Sequence, residues 1–386
     1  MSVRARARAD ACPGVFATHE AADGPLARVR LPGGAITAAA LRVLADCAEE
    51  LGDGEIHLTS RGNVQLRAVT VDGLVPRLSE GGFLPSPSHE RVRNILASPL
   101  SGVAGGLVDV SPLARRLDAA LCARPSLAAL PGRFLFAIDD GRGDVSGEGA
   151  DLCWRAVDGT GGALLLDGVD TGLRVALSDA VTALITLAEA FRAARGTAWR
   201  VRELPDAAVL LDAVRPVAAE VEPVAMPLTS GLPIGILDRD DGGLALGAAP
   251  LFGRLTSAQS RVVAEVAERV VVTPWRSILL PETAPAAALA EAGIVVDPAD
   301  PSIGVSACVG RPGCAKSRAD VRGDAARALP SLPRGLRAHF SGCERRCGKP
   351  AEPHLDVLAE PGGYRVDALV VSVHELAETL VQKGKL

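Results

Sequence analysis

Aromatic residues are scarce in this chain of 386 residues: phenylalanine, tryptophan and tyrosine together make up 3% of it. So few rings exclude a broad surface for stacking nucleic-acid bases. The net charge is −5, which gives no general attraction to nucleic acid or to an acidic membrane surface. No apolar run approaches the roughly 20 residues that a membrane-spanning helix needs. We therefore expect neither nucleic acid nor membrane among the partners of this protein.

A secretory signal and a disulfide framework are also lacking. The first residues, MSVRARARADACPG, contain arginines, but the apolar stretch of a secretory signal does not follow them. Four of the eight cysteines (Cys12, Cys47, Cys122 and Cys153) are scattered without the spacing of a disulfide pattern. Both absences predict a protein of the reducing cytoplasm.

The other four cysteines are grouped in two pairs towards the C-terminal end. Cys308 and Cys314 stand in SACVGRPGCAKS with five residues between them, and Cys343 and Cys347 stand in HFSGCERRCGKP with three between them. Four thiolates are the ligand set of a [4Fe–4S] cluster. A glycine precedes the second and the third of these cysteines, which lets the backbone approach a cluster closely. The motif therefore indicates a redox protein with one iron–sulfur cluster.

Three other interpretations of the four cysteines remain open at this point. They could hold a structural zinc ion, although zinc sites usually use pairs separated by two to four residues, and one pair here is separated by five. They could form two disulfides, or they could be unrelated buried thiols. Metal and sulfide analysis distinguishes these cases.

The sequence also contains an internal repeat. Residues 27–69 and 244–283 both run from a strand through a glycine-containing turn into a helix, and then through two further strands. Thr59 corresponds to Thr273 and Val64 to Ile278, at the same offset of 214 residues. A second helix is predicted after each copy. Strand, helix, strand, strand, helix is an α+β unit of the ferredoxin-like kind, so we predict two such half-domains.

Arginines and amides occur together in three segments at predicted strand ends. The segments are LTSRGNVQLR, HERVRNILASP and LPGRFLF, and their candidate ligand-binding residues are Arg61, Asn63, Gln65, Arg93, Asn94 and Arg133. Arginine remains charged and binds carboxylates with two parallel hydrogen bonds. Arginines gathered from separate strands in an acidic protein therefore suggest a pocket for a polyanionic ligand. Each of them taken alone could equally be an ordinary surface residue.

These motifs together resemble the sulfite/nitrite reductase superfamily over nearly the whole chain. The C-x₅-C and C-x₃-C pairs resemble its cluster signature, and TSRGNVQLR and RNILASP resemble its anion-binding strand ends. The resemblance implies two ferredoxin-like half-domains and two larger α/β lobes, related by pseudo-twofold symmetry, around a [4Fe–4S] cluster bound by Cys308, Cys314, Cys343 and Cys347. It implies the following division: half-domain 1 at 1–84, lobe 1 at 85–220, half-domain 2 at 221–298 after a proline-rich linker, and the cluster-binding lobe 2 at 299–386.

Within the superfamily the chain most resembles the precorrin-3B synthase family of aerobic cobalamin biosynthesis. The segments ACPG, DGPLARVRLPGG and GEIHLTSRGNVQLR and the short length carry this resemblance. It implies an oxidoreductase that hydroxylates precorrin-3A at C20 and closes a γ-lactone, with O₂ and electrons from NADH. Arg61, Arg93 and Arg133 are then expected to bind the carboxylates of the tetrapyrrole, and Asn63, Gln65 and Asn94 to add neutral hydrogen bonds.

The family resemblance also implies a mononuclear non-haem iron, for which no histidine spacing in the chain suggests a ligand set. No G-x-G-x-x-G sequence follows a predicted strand, so electrons from NADH are expected to arrive through a separate reductase.

One segment departs from the pattern of the sulfite and nitrite reductases. Those enzymes use a Lys-x-Lys strand beside a small oxyanion, whereas the two positions here are Arg133 and Leu135. One cation is replaced and the other is lost, which favours a macrocycle oxygenase over a small-oxyanion reductase. A sirohaem-dependent sulfite or nitrite reductase remains the alternative, and a non-catalytic zinc protein is a second one.

Overall fold

The computed structural model describes residues 10, 12–229, 231–350 and 352–384. The start of the predicted first half-domain, residues 1–9 and 11, lies outside them. The strands are β1 (His19–Ala21), β2 (Gly24–Val29), β3 (Ala35–Thr37), β4 (Glu55–Leu58), β5 (Val64–Leu66), β6 (Ile95–Ala97), β7 (Phe136–Asp139), β8 (Leu152–Ala156), β9 (Gly161–Leu166), β10 (Val169–Ala176), β11 (Ala219–Glu220), β12 (Gly235–Asp238), β13 (Leu244–Ala248), β14 (Arg254–Thr256), β15 (Arg269–Val272), β16 (Ile278–Leu280), β17 (Val305–Ala307), β18 (Ala338–Ser341), β19 (Leu355–Glu360), β20 (Gly363–Val366) and β21 (Leu369–Val371).

The α-helices of the described residues are α1 (Ala38–Leu51), α2 (Leu74–Glu80), α3 (Ser111–Cys122), α4 (Ala180–Ala194), α5 (Ser257–Val266), α6 (Ala286–Glu291), α7 (Val321–Ala328) and α8 (Leu376–Lys383). None of them is both long enough and apolar enough to cross a membrane. Short 3-10 helices connect several of the strands and helices.

The strands form four sheets within the described residues. Two five-stranded sheets have the orders β1-β2-β5-β4-β14 and β12-β13-β16-β15-β3, and they contain the two copies of the repeat. A six-stranded sheet, β11-β10-β9-β8-β7-β6, forms the first lobe, and a five-stranded sheet, β17-β18-β19-β20-β21, forms the second. The predicted α+β fold, with duplicated ferredoxin-like half-domains and two lobes, is confirmed.

The two copies of the repeat begin their long helices in the same way. Thr37 precedes α1 and its side-chain oxygen accepts a hydrogen bond from the N–H of Ala40. Thr256 precedes α5 and accepts from the N–H of Gln259, whose own side chain accepts from the N–H of Thr256. The second arrangement is a capping box, and it satisfies two N–H groups at the helix start. Each helix therefore starts directly from a short strand.

Those short strands are exchanged between the two copies. Strand β3, from the first copy, pairs with β15 of the second, so that Ile36 lies opposite Val270. Strand β14, from the second copy, pairs with β4 of the first, so that Leu255 lies opposite Ile56. Helices α1 and α5 then pack against each other. The exchange joins the two half-domains into one unit, which the repeat in the sequence did not reveal.

One hydrophobic core is consequently shared by both half-domains. It contains Leu44 of α1, Val263 of α5 and side chains from both of their sheets. A second core lies in the first lobe around Trp154, and a third lies in the second lobe around Phe340. From the position of these three cores we propose domain boundaries after residues 84, 220 and 298, as predicted from the sequence. We also propose that the two half-domains fold as one body.

Truncation of the shared core tests this arrangement. Leu44 is fully buried in α1, so Leu44→Ala leaves a cavity and should lower the free energy of unfolding by about 2–5 kcal/mol. The measurement is urea denaturation followed by circular dichroism. The control is Val209→Ala at a half-exposed position, for which we expect a change within about 0.5 kcal/mol. Equal effects of the two variants would contradict a common core at α1.

Candidate cluster and anion-binding site

The two cysteine-containing loops leave the same edge of the second lobe's sheet. Strands β17 and β18 are parallel neighbours, with Val305 opposite Ala338, so their carboxyl ends lie side by side. Cys308 follows the first strand directly, and Cys343 follows the second after one glycine. The sulfur of Cys308 accepts a hydrogen bond from the N–H of Gly342 at 3.2 Å. The sheet therefore brings both cysteine pairs to one place.

Backbone hydrogen bonds fix the loop of Cys314 against the loop of Cys343. The N–H of Cys314 donates to the carbonyl of Gly310 at 2.7 Å, and the N–H of Arg318 donates to the carbonyl of Gly342 at 2.9 Å. A Cβ at position 342 would lie 1.9 Å from Oγ of Ser317, so only glycine fits there. The glycine before Cys343 thus allows the two loops to approach closely.

The four cysteines are free thiols, and within the described residues they do not form the compact group that a single zinc ion needs. Burial raises the pKa of Cys308, and the nearby thiols of Cys347 and Cys343 raise it further. Within the described residues, no three cysteine sulfurs lie within 4.8 Å of one another. Tetrahedral zinc with Zn–S bonds of about 2.3 Å needs thiolates about 3.8 Å apart. A cubane is bound by thiolates on four separate iron atoms and accepts a wider spacing.

A partly buried arginine, Arg322, connects the first cysteine to the first half-domain. Nε of Arg322 donates to the carbonyl of Cys308 at 3.1 Å. Its Nη1 lies 3.6 Å from a carboxylate oxygen of Glu55, which also pairs with Arg254. Burial, together with the charge of Arg254, lowers the pKa of Arg322 to about 10. This arginine is therefore a cation held near the cysteine loops.

Two imidazoles line the side of the site next to Cys347. Nδ1 of His339 lies 2.8 Å from Oγ of Ser306, and Nδ1 of His354 hydrogen-bonds to the carbonyl of Glu352 at 2.7 Å. The two rings are 6.1 Å apart, edge to face, and neither Nε2 atom has a hydrogen-bond partner among the described residues. Burial, together with the charges of Arg276 and His354, lowers the pKa of His339 to about 4. His339 is consequently neutral near pH 7.

The predicted anion site contains a group of arginines from separate elements. Burial, together with the charges of Arg200 and Arg28, lowers the pKa of Arg61 to about 10. No carboxylate of the described residues forms an ion pair with Arg61, while Arg200 is paired with Asp151 at 2.7 Å. Cations that repel one another in a largely enclosed site are suited to an anionic ligand.

Gln65 and Arg133 border the same group. Nη2 of Arg28 donates to Oε1 of Gln65 at 3.2 Å, because β2 and β5 place these two residues opposite each other. Arg133 lies over the ring of Trp199, 5.7 Å from its centroid, and is close enough to Arg28 to lower the pKa of that residue, although burial lowers it more. Arg61, Gln65 and Arg133 are thus brought together around Arg28.

The other three predicted residues use their polar groups within the protein. The side chain of Asn63 accepts from the N–H of Leu31 at 2.8 Å and donates to Asn94 at 3.2 Å. Asn94 donates to the carbonyl of Gly132 at 3.0 Å, beside Arg133. Arg93 forms two hydrogen bonds of 2.7 Å with Asp118. All three predicted residues are at most 4% exposed. They hold the strand ends in place.

Sequence reasoning missed Arg28, Arg30, Arg200 and Cys12, which complete the arginine group. The sulfur of Cys12 accepts from Arg28 at 3.7 Å and from Arg30 at 3.6 Å. The alternation of arginine with apolar residues in ARVRL was a signal for the first two, because it places both arginines on one face of a strand. Arg200 gave no such signal, since its approach depends on the fold of the first lobe.

Comparisons with known proteins agree with this architecture. Residues 19–77 match the family model described as the nitrite/sulfite reductase ferredoxin-like half domain. The chain is 30% identical to a precorrin-3B synthase of Sinorhizobium sp, over 92% of this chain and 82% of that protein. It is 28% identical to a ferredoxin–nitrite reductase of Synechococcus elongatus, over 86% and 76% of the two chains. The Mycobacterium tuberculosis NirA protein shares the fold, with a TM-score of 0.72, 20% identity and coverage of 92% and 79%.

The internal role of Arg93 gives a prediction about stability. Removal of this guanidinium by Arg93→Met leaves the carboxylate of Asp118 without its partner, and both side chains of the pair are largely buried. We expect the protein to lose about 3–5 kcal/mol of stability. The measurement is denaturation of the metal-free protein, with Arg116→Met at an exposed position as the control. Equal stability of Arg93→Met and wild type would show that Arg93 is not a structural residue.

Proposed function

The chain belongs to the nitrite/sulfite reductase superfamily, in the precorrin-3B synthase family, and from that premise we propose that it is a monooxygenase of aerobic cobalamin biosynthesis. The proposed reaction hydroxylates precorrin-3A at C20 and closes a γ-lactone, with O₂ and electrons that originate from NADH. The observation that carries the proposal is the 30% identity to the Sinorhizobium protein over 82% of its length. A separate donor protein is proposed to deliver the electrons, in the cytoplasm.

Cys308, Cys314, Cys343 and Cys347 are the proposed ligands of a [4Fe–4S] cluster, which when bound supplies electrons one at a time. The convergence of both loops at the ends of β17 and β18 supports this assignment. The N–H of Gly342 already donates to the sulfur of Cys308, and such a hydrogen bond stabilises a thiolate. Arg322 holds the carbonyl of the same cysteine and orients its loop.

Arg61, Gln65 and Arg133 are the proposed contacts for the acetate and propionate groups of the tetrapyrrole, together with Arg28. Arg61 supports this best, because it is a largely buried guanidinium with no ion-pair partner in the described part of the chain. A carboxylate bound there relieves the repulsion among the arginines. Asn63, Arg93 and Asn94 are proposed to support the site from behind, since their polar groups are already used within the protein.

The surroundings of Leu135 favour the oxygenase over the reductase alternative. Its side chain is buried in an apolar cluster with Leu96, Ala137 and Val145, and its N–H donates to Asp151 at 2.8 Å. A reductase of sulfite or nitrite needs positive charge and protons beside its small oxyanion. This position offers neither, which is compatible with a large macrocyclic substrate.

A mononuclear iron does not fit the ligand sets that the described residues offer. Asp53, Glu55 and His57 lie together, but His57 is bound to Asp53 at 2.8 Å and Glu55 is paired with arginines. A second set, Asp139, Asp140 and Asp144, contains no imidazole and is occupied by arginines and backbone N–H groups. His339 and His354 belong to neither set. The ligand sets of the described residues therefore do not support a mononuclear iron site.

Analysis of anaerobically purified protein tests the proposed function. We expect about four iron atoms with acid-labile sulfide, a broad cluster absorption and no iron tetrapyrrole on mass analysis of extracted pigment. Extracted sirohaem would instead establish the sulfite or nitrite reductase alternative. Zinc without sulfide would establish the non-catalytic alternative. Conversion of precorrin-3A in the presence of O₂ and a reductant then tests the reaction itself.

Substitution of one cysteine tests the proposed cluster ligands. Cys343→Ser removes one thiolate, and we expect sulfide, the cluster absorption and activity to be lost together. The measurement is iron and sulfide content with the visible spectrum. Cys122→Ser, at a half-buried thiol outside this lobe, is the control and should retain all three. An intact cluster spectrum in Cys343→Ser would remove Cys343 from the ligand set.

Substitution of one arginine tests the proposed anion site. Arg61→Ala removes a charge-assisted contact, which typically contributes about 1.5–3 kcal/mol, so binding of the tetrapyrrole should weaken roughly 10- to 100-fold. Iron and sulfide content should remain unchanged. The measurement is equilibrium dialysis with precorrin-3A under anaerobic conditions, with Arg116→Ala as the control. Unaltered affinity in Arg61→Ala would exclude Arg61 from the binding site.

A further inference from the structure

The same tight turn occurs in both copies of the repeat, with one difference in sequence. The N–H of Thr59 donates to the carbonyl of Asn63 at 2.9 Å, and the N–H of Thr273 donates to the carbonyl of Ser277 at 2.9 Å. The fourth residue of each turn has a left-handed backbone, with φ of 61° at Gly62 and 59° at Arg276. This conformation is unfavourable for any residue that has a Cβ atom. The second copy thus retains an arginine where the fold favours glycine.

The side chain of Arg276 leads from this turn to the cysteine loops of the second lobe. Its aliphatic part packs against Gly253, where a Cβ atom would lie 2.9 Å from Cβ of Arg276. Its Nη2 lies 3.4 Å from the carbonyl oxygen of Gly348, the residue after Cys347. His339 lies close enough for the positive charge of Arg276 to lower its pKa. The guanidinium is therefore held against the end of the Cys343–Cys347 loop.

Arg276 has no anionic partner among the described residues. No carboxylate forms an ion pair with it, and its hydrogen bond to Gly348 is a long one. Burial lowers its pKa, yet an arginine remains protonated at neutral pH. A partly buried cation without a counter-charge is unfavourable, so such a residue normally faces an anion. The cluster proposed for the loop that Arg276 contacts is such an anion, and its negative charge increases when it is reduced.

We propose that Arg276 is a positioning residue that holds the Cys343–Cys347 loop and that its fixed positive charge favours the reduced form of the cluster. The inference rests on the proposed four-cysteine cluster. The step concerned is the addition of one electron to the oxidised cluster, with no proton transferred. A nearby cation stabilises the product of that step more than the reactant, because the product carries one more negative charge.

Redox titration of the reconstituted protein tests this proposal, with dithionite as reductant and the cluster followed by electron paramagnetic resonance. Arg276→Gln should make the midpoint potential more negative by at least about 59 mV. For a one-electron couple, this shift corresponds to a tenfold change in the ratio of reduced to oxidised cluster. Arg276→Lys keeps the charge and should remain near the wild-type potential. Arg345→Gln removes an exposed cation from the same loop and should shift the potential less, because water screens it.

A fourth variant separates charge from backbone conformation. Arg276→Gly removes both the charge and the unfavourable left-handed backbone of an arginine. The metal-free Arg276→Gly protein should therefore melt at the same temperature as Arg276→Gln or at a higher one. Its cluster potential should match that of Arg276→Gln, because both variants lack the charge. Equal shifts in Arg276→Gln and Arg345→Gln would overturn the proposal. So would a potential in Arg276→Lys as negative as that in Arg276→Gln.

The outcomes also separate this inference from the proposed function. A wild-type protein that binds no sulfide would refute the cluster and the inference with it. A wild-type cluster whose potential is indifferent to position 276 would refute the inference alone. If Arg276→Gln fails to retain a cluster, the potentials of Arg276→Lys and Arg276→Gly decide the result by the same criteria.

Discussion

The exchange of one short strand between the two copies of the repeat is the constraint on which the rest of this structure depends. Because β3 belongs to the second sheet and β14 to the first, neither half-domain completes its sheet alone. Helices α1 and α5 start directly from these strands and pack together over the shared core. The pairing also fixes where the two equivalent turns emerge. Gly62 lies near Leu96 of the first lobe, whereas Arg276 lies against Gly348 of the second.

Pseudo-twofold symmetry thus presents the same backbone to two different lobes, and the side chains at equivalent positions differ accordingly. The first copy has glycine at two left-handed positions, Gly33 and Gly62, and the first lobe approaches both closely. The second copy has Phe252 and Arg276 there. Phe252 packs against the core of the second lobe, and Arg276 reaches its cysteine loop. One duplicated scaffold therefore supports an arginine-lined face in one half and docks the cysteine-bearing lobe with the other.

Local sequence signals predicted the parts of this protein that depend on short-range spacing. The cysteine pairs, the Thr256 and Gln259 pattern before α5 and the offset of 214 residues that relates Thr59 to Thr273 are all visible in one dimension. The strand exchange is not, because β3 and β14 are three residues long and their partners are about 235 and about 200 residues away in the sequence, respectively. Arg93 was predicted to bind a ligand for a similar reason. Its partner Asp118 lies on α3, and the strand-end motif gives no information about where that helix packs.

The arginine group around Arg61 shows how an acidic chain can form a cationic site. The chain is acidic as a whole, but most of its carboxylates lie elsewhere, and Asp151 pairs with Arg200 alone. Mutual repulsion and burial both lower the pKa of Arg61, so the protein without ligand keeps this group at a cost in free energy. That cost is tolerated because the buried amides of Asn63 and Asn94 fix the strand ends on which the arginines stand. A polycarboxylate that binds only the folded protein relieves the repulsion. Its affinity and the stability of the complex should consequently fall together as ionic strength rises.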